Sequence, residues 1–315
     1  MPILILAFLA ATATTGPAAW VEAQGGRVER NAAGEVTGVS LSASWVTDGD
    51  LDALAGFPHL ERLDLSYTHI TDLGMERLKP LQSIHELNLL YAEHVTDEGL
   101  AHLRGWRKLE SINVRGTRIT DTGLEHLAAI RSLVSIDAGF ALVTNNGLDR
   151  LAALPNLRRL SIGGNKLSDT GLLFLRLIPG LTHLDVSGQQ RTDSGLWSAA
   201  VTDAGLDSIA TLKELEELNL EGTKVTDLGM EKLRGLKHLR SLDLSGTQVT
   251  AKGLAGFDSI ERLRLYAARR IDDTALPVLL GLKSLKWLDV AKTGLSPESI
   301  GRLRQRGLQV AGEAP

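Results

Sequence analysis

Between Leu60 and Leu308 the apolar residues follow two rhythms in turn. In LERLDLSYTHITDLGMERLKPLQS, which begins at Leu60, the opening positions read L-x-x-L-x-L, an alternation suited to a strand with one buried face. From Gly74 onward Met75, Leu78 and Leu81 follow at intervals of three, like one stripe of a short helix. The unit returns from Leu109, Leu157 and Leu215, and with altered spacing from Ile84, Leu239 and Ile260, at a period of about 24 residues. Such self-similarity predicts a solenoid with one strand and one helix per unit. Strands sit about 4.8 Å apart and helices are about 10 Å wide, so a parallel sheet covered by helices on one side must curve with the sheet inside. The expected fold is an α/β horseshoe of about ten to eleven repeats. No unit buries enough apolar surface to offset its own ordering entropy, so the array should behave as one body.

Polar residues punctuate the units at fixed offsets. The column Thr47, Thr71, Thr96, Thr120, Thr144, Ser168, Thr202, Thr226, Thr250, Asp272 and Ser296 contains only residues that cap helix N-termini. Pro297 follows the last of them, and proline favours the first helical position. Asp72, Asp97, Asp121, Asp169, Asp203 and Asp227 then fall in the first turn, where an acid complements the helix dipole; this is a structural role, not that of a metal ligand or catalytic acid. The glycine two positions further on becomes Ala275 and Ser299 in two units, so the position demands small size, with a neighbouring turn packed against it.

The stretch RTDSGLWSAAVTDAGL, residues 191–206, carries the Thr-Asp-x-Gly-Leu signal twice. Arg191 stands where other units have an apolar residue, whereas Val201 has the apolar character and lies in register with the unit at Leu215. The second copy therefore starts the helix, and residues from about 191 to 200 read as an insertion at the strand-to-helix edge, carrying Trp197.

At the front, Ile3 to Ala11 is a short apolar run followed by small and polar residues up to Gln24, the outline of a secretory leader over residues 1–23 and too short to span a membrane. GGRVERNAAGEVTGVSL reads as a hairpin that covers the open edge of the first unit within residues 24–59. Repeats fill residues 60–307, and residues 308–315 form a C-terminal cap or tail with at most a short strand. The expected product is exported, periplasmic or extracellular, monomeric, and free of a membrane span once the leader is removed.

The units resemble leucine-rich repeats of the ribonuclease-inhibitor-like or cysteine-containing-like type, without the cysteines. They are similar to repeats of exported bacterial proteins that open with a segment like the hairpin just quoted. The resemblance covers about residues 24 to 308 and implies protein recognition, usually across the concave sheet. Such repeats also occur in ubiquitin-ligase substrate receptors, but no F-box-like helical segment precedes these, so a substrate-receptor-like adaptor is an alternative reading.

Composition narrows the chemistry. The formal net charge of -4 gives no electrostatic reason to expect nucleic acid, and the absence of cysteine excludes disulfides, thiolate metal sites and a cysteine nucleophile. No phosphate loop, nucleophile elbow, zinc motif or calcium loop is present, so neither enzyme activity nor a cofactor or metal is expected. His94, Asp97 and His102 lie close in sequence, but their spacing matches no metal site. Departures from periodicity supply the candidate binding residues. Arg262, Arg264 and Tyr266 lie on one strand with Trp287 on the next, and these residue types are enriched at binding hot spots. Ion pairs from Arg264 to Asp243 and Asp289, with Trp287 as edge packing, are the alternative. Tyr67, Tyr91 and Phe140 occupy a column otherwise mostly glycine, and Arg191 and Trp197 ride on the insertion. The concave row from Ser40 through Asp64, Asn88 and Asn113 to Asp289 alternates acids with neutral residues, which keeps like charges off adjacent strands. The expected partner is a protein or a cell-envelope polymer; a structural spacer with no specific ligand is the alternative.

Overall fold

The computed structural model describes residues 16–192, 195–198 and 200–312, with side chains outside 189–199. The strands of its main sheet run in chain order. Arg27–Arg30 pairs antiparallel with Val36–Ser40, and every later strand of that sheet is parallel to its predecessor. The parallel strands from Arg62–Asp64 to Gln309–Ala311 are three residues each, held in one register by a central apolar ladder from Leu63 and Leu87 through Leu263 and Leu288 to Val310. Three-residue strands suffice because each contributes one inward side chain and the next coil supplies its other neighbours. Short helices such as Asp72–Arg77, Asp121–Ala128 and Asp227–Leu233 cover the outer side. The core is continuous from Val21 to Leu308.

Two polar ladders close the coils. After five of the strands a buried hydroxyl turns the chain: Thr68, Thr117, Thr223, Thr247 and Thr293 each donate to the carbonyl three residues earlier at 2.6–2.7 Å. Asn165 does the same work with its amide, donating to Ala138 and Ile162. Where a threonine starts the helix, as at Thr71, Thr96 or Thr250, its oxygen accepts an N–H of its own helix while its backbone N–H and hydroxyl both bind the aspartate of the preceding coil. Asp72 thus accepts from Thr96, Asp121 from Thr144 and Asp227 from Thr250, with N–H contacts of 2.7–2.8 Å and hydroxyl contacts of 2.6 Å. These acids lie in the first helical turn and also fasten coil to coil.

That fastening explains the glycine column. A Cβ at Gly99 would lie 2.5 Å from Asp72 Oδ1, and one at Gly253 would lie 2.4 Å from Asp227 Oδ1; neither glycine has positive φ. The requirement is space. Where the acid is replaced by Ala251, the next coil carries Ala275 in place of glycine and caps its turn with Asp272, which accepts from Thr274.

Gln189–Thr192 pairs antiparallel with Gly195–Ser198, a hairpin outside the main sheet. The sheet passes it by, since His183–Asp185 pairs directly with Glu217–Asn219. Thr202 binds the carboxylate of Asp169 across 33 residues, so the helix begins at the second copy of the repeated signal.

Residues 1–15 of the apolar leader lie outside the described residues. Pro17–Ala23 is a helix packed on the first coil, with Val21 fully buried. Gly26 and Gly56 leave the room it needs: a Cβ at either would lie 2.8 Å from Val21 Cγ1 or 2.5 Å from Pro17 Cγ, respectively. The helix lies within residues 1–23, the span expected for the leader, and its Val21 joins the core.

Candidate recognition surface

The side chains flanking the central apolar ladder face the concave side. In the polar row, one oxygen of Asp64, Asp137, Asp185, Asp243 and Asp289 accepts the N–H two residues further on at 2.8–3.0 Å. Asparagine replaces them as acceptor at Asn88 and Asn219. Neutral members also donate sideways, Ser40 and Asn88 to Asp64 and Ser161 to Asp185. The row thus ties down the strand ends as well as separating charge.

Just beyond it lies a ledge whose backbone is left-handed. Gly116, Gly164, Gly222 and Gly246 have φ between 65° and 74°, while Tyr67, Tyr91 and Phe140 hold φ of 52–55° in the same column. A bulky residue there carries strain of about 1–2 kcal/mol that glycine avoids. Tyr67 and Tyr91 stack with ring centroids 5.4 Å apart, and Tyr67 is 52% exposed. Beside them Trp45, 84% exposed, stacks on His69, whose ring lies 5.9 Å from that of His94. Phe140 does not continue this strip, because Gly116 intervenes; its ring lies under the guanidinium of Arg115 at 4.4 Å.

Arg262, Arg264 and Trp287 form a separate cluster. Arg264 reaches Asp243 at 3.4 Å and Asp289 at 3.8 Å, and both arginines lie over the Trp287 ring at 5.3 and 5.6 Å. Much of the hot-spot chemistry expected here is therefore met within the chain. Tyr266 belongs elsewhere: it contacts Lys292 Nζ on one side and lines a cleft of about 560 Å3 on the other, with Phe140 in the opposite wall. Of the insertion candidates, Arg191 pairs with Leu196 and Trp197 with Gln190 in the hairpin backbone, and their side chains lie outside the described part.

The cleft contains groups that the sequence did not single out, Glu221 and Ser245. Partial burial, then Asp243 and Asp185 nearby, raise the pKa of Glu221 above the ordinary carboxylate range, with Arg264 opposing. Glu221 is the one acid in its column, between Ser187 and Ser245, and that was the available signal. Among the described residues, no group of three or more His, Asp or Glu is placed to hold a metal ion, and no helix is long and apolar enough to cross a membrane. Asp97 is occupied by Thr120, and His94 stands in the aromatic strip.

A family model described as Leucine Rich repeat matches residues 58–79, 107–128, 153–175, 213–233 and 235–257. The chain is a leucine-rich-repeat protein. An internalin from Listeria monocytogenes is similar in structure, with a TM-score of 0.59 at 16% identity over 95% of this chain and 94% of that one. A leucine-rich-repeat protein from Leptospira interrogans is similar with a TM-score of 0.51 at 17% identity, over 82% of this chain and 74% of that one. Identities this low establish the shared fold alone. No curated protein matches.

Proposed function

We propose that this chain is a non-catalytic recognition scaffold of the cell envelope or exterior, binding a protein partner across its concave sheet and strand-end ledge. The observation that carries this reading is the retention of exposed aromatic side chains at Tyr67 and Tyr91 on left-handed backbone, where glycine would be unstrained. The non-catalytic reading is supported by the concave aspartates, whose carboxylates already serve backbone N–H groups. The apolar leader supports export, with Ala11-Thr12-Ala13 as a small-residue processing site ahead of the packed helix. The strand pair that carries Arg191 and Trp197 adds its edge to the same binding region in this reading. The scaffold acts as a monomer.

A photo-crosslinking residue placed at 67, 91 or 266 in the native cell tests the reading against the same probe at Leu73 and Leu228 on the outer helices, both well exposed. Discrete protein adducts from the ledge and none from the helices support it. Adducts from the helices alone overturn the choice of face. The internal engagement of Arg262, Arg264 and Trp287 favours a second reading, a spacer without a ligand, and adducts from neither face would establish it.

A further inference from the structure

Glu221, Ser245 and Tyr266 stand side by side in one column on three adjacent parallel strands, because Asn219 pairs with Asp243 and Asp243 with Arg264. Each step is about 4.8 Å. Ser245 therefore has a carboxylate on one side and an aromatic ring on the other. It is 2% exposed, lines the cleft, and its Oγ has no hydrogen-bond partner among the described residues. A buried hydroxyl without a partner is costly, and a ligand that supplies one removes the cost. The Glu221 carboxylate also has no ion pair among the described residues. Next to it, Gly222 and Gly246 leave the ledge without side chains.

The aromatic rings of this half of the molecule already display the matching pattern. Phe140 carries Arg115, Trp287 carries Arg262 and Arg264, and Tyr266 carries Lys292 on one side. Tyr266 and Ser245 both line the cleft. A cation seated above Ser245 would meet the ring and Glu221 together, with the serine hydroxyl buried beneath it. A bare metal ion does not suit this arrangement, since the nearby acids are not placed to converge on one. A planar guanidinium does, because it stacks on an aromatic face while its five N–H donors reach separated acceptors.

We infer that the Glu221–Ser245–Tyr266 cleft receives an arginine side chain presented by the protein partner. The inference rests on the recognition reading above and specifies the chemistry read at one point of that surface. From the rung of Phe140 to that of Ala267 is five strand steps, about 24 Å, which an extended segment of roughly seven residues spans. Arg115, Arg269 and Arg270 also line the cleft and disfavour further cations along that segment.

The test uses the purified full chain and two capped tripeptide probes, Gly-Arg-Gly and its citrulline counterpart, which keeps the shape without the charge. Titration followed by NMR should show the arginine probe binding about tenfold more tightly, the effect of one charge-assisted hydrogen bond. Glu221→Gln should weaken it by a similar factor without lowering the melting temperature, and Ser245→Ala should weaken it less. Binding should also decline as pH falls through the raised pKa of Glu221, whose charged neighbours are Asp185, Asp243 and Arg264, and this response should vanish in Glu221→Gln. Equal affinity for the two probes, no binding of either, or an unaltered affinity in Glu221→Gln would overturn the proposal. Ledge crosslinks that persist beside such a result leave the scaffold reading intact, whereas their absence removes both.

Discussion

The carboxylate of Asp72, in the first turn of one helix, accepts both the backbone N–H and the hydroxyl of Thr96, at 2.8 and 2.6 Å, one coil further on. It also accepts the N–H of Gly99 at 3.0 Å, so one side chain fixes the start of the next helix at three points. The threonine meanwhile caps its own helix through its oxygen. Each coil is thereby positioned by its predecessor through these bonds as well as through the packing of its apolar residues.

Breaking one such link should be felt by the whole array. Asp227→Ala removes two short bonds to Thr250 and should destabilise by about 2–3 kcal/mol, while Asp227→Asn, which mimics the natural Asn145 link to Ser168, should cost less. Gly253→Ala should also destabilise, because its Cβ would collide with Asp227 Oδ1. In the double variant Asp227→Ala/Gly253→Ala the collision with that oxygen is gone, so its cost should fall short of the sum by about 1 kcal/mol. Denaturant melts of the four proteins measure the coupling; strict additivity would refute the steric account of the glycine column.

Strain on the ledge gives an ordering of substitutions. Tyr67→Ala loses the stack on Tyr91 yet keeps a Cβ at φ 55°, whereas Tyr67→Gly loses the same ring and relieves the backbone. Thermal melting should place the glycine variant above the alanine variant by about 1 kcal/mol. Both should lose the partner contact, which separates ring-mediated binding from stability.

Acid sensitivity near neutrality should come from His126, which is buried in the helix Asp121–Ala128 beside Arg104. Burial and then the Arg104 charge lower its pKa below the ordinary 6.5, outweighing Asp97, Glu125 and Glu98. A base whose folded pKa is depressed contributes stability above its unfolded pKa and loses it as pH falls through that value toward the folded one. The melting temperature should therefore drop on going from pH 7 to pH 5, and His126→Gln should flatten that part of the profile. An unchanged slope in the variant would assign the drop to other groups.

The packed helix Pro17–Ala23 predicts where processing stops. Sequencing the N-terminus of the protein isolated from its native cell should find it ahead of Pro17 and after the small residues near Ala13, because removal up to Ala23 strips Val21 from the core. Val21→Asp should lower stability by several kcal/mol through an unpaired buried charge. A mature chain beginning at Gln24 with full stability would contradict this.

Much of the fold was legible because a solenoid repeats its own instructions. Columns revealed strands, caps and the need for a small residue at Gly99 or Gly253, and the in-register Val201 located the helix after the hairpin. Periodicity could not tell a contact within one unit from the same contact made to the next, so Asp72 was legible as a helix-start acid but its hold on Thr96 was not. For the candidate binding residues the columns left two readings open for a related reason. A residue out of step with its column need not be free, and Arg264 turned out to be occupied by Asp243, Asp289 and Trp287. Conversely, Ser245 conforms to its column and draws notice only once its unsatisfied hydroxyl is seen beside Glu221 and Tyr266.

The bond from Asp169 to Thr202 bridges 33 residues as readily as its counterparts bridge 23 or 24. What the architecture counts is hand-offs from carboxylate to hydroxyl, not residues between them. Evolution is then free to graft new segments into the gap between one acid and its receiver, as it did with the hairpin, while the rest of the horseshoe keeps its pitch and its ends keep their bearings.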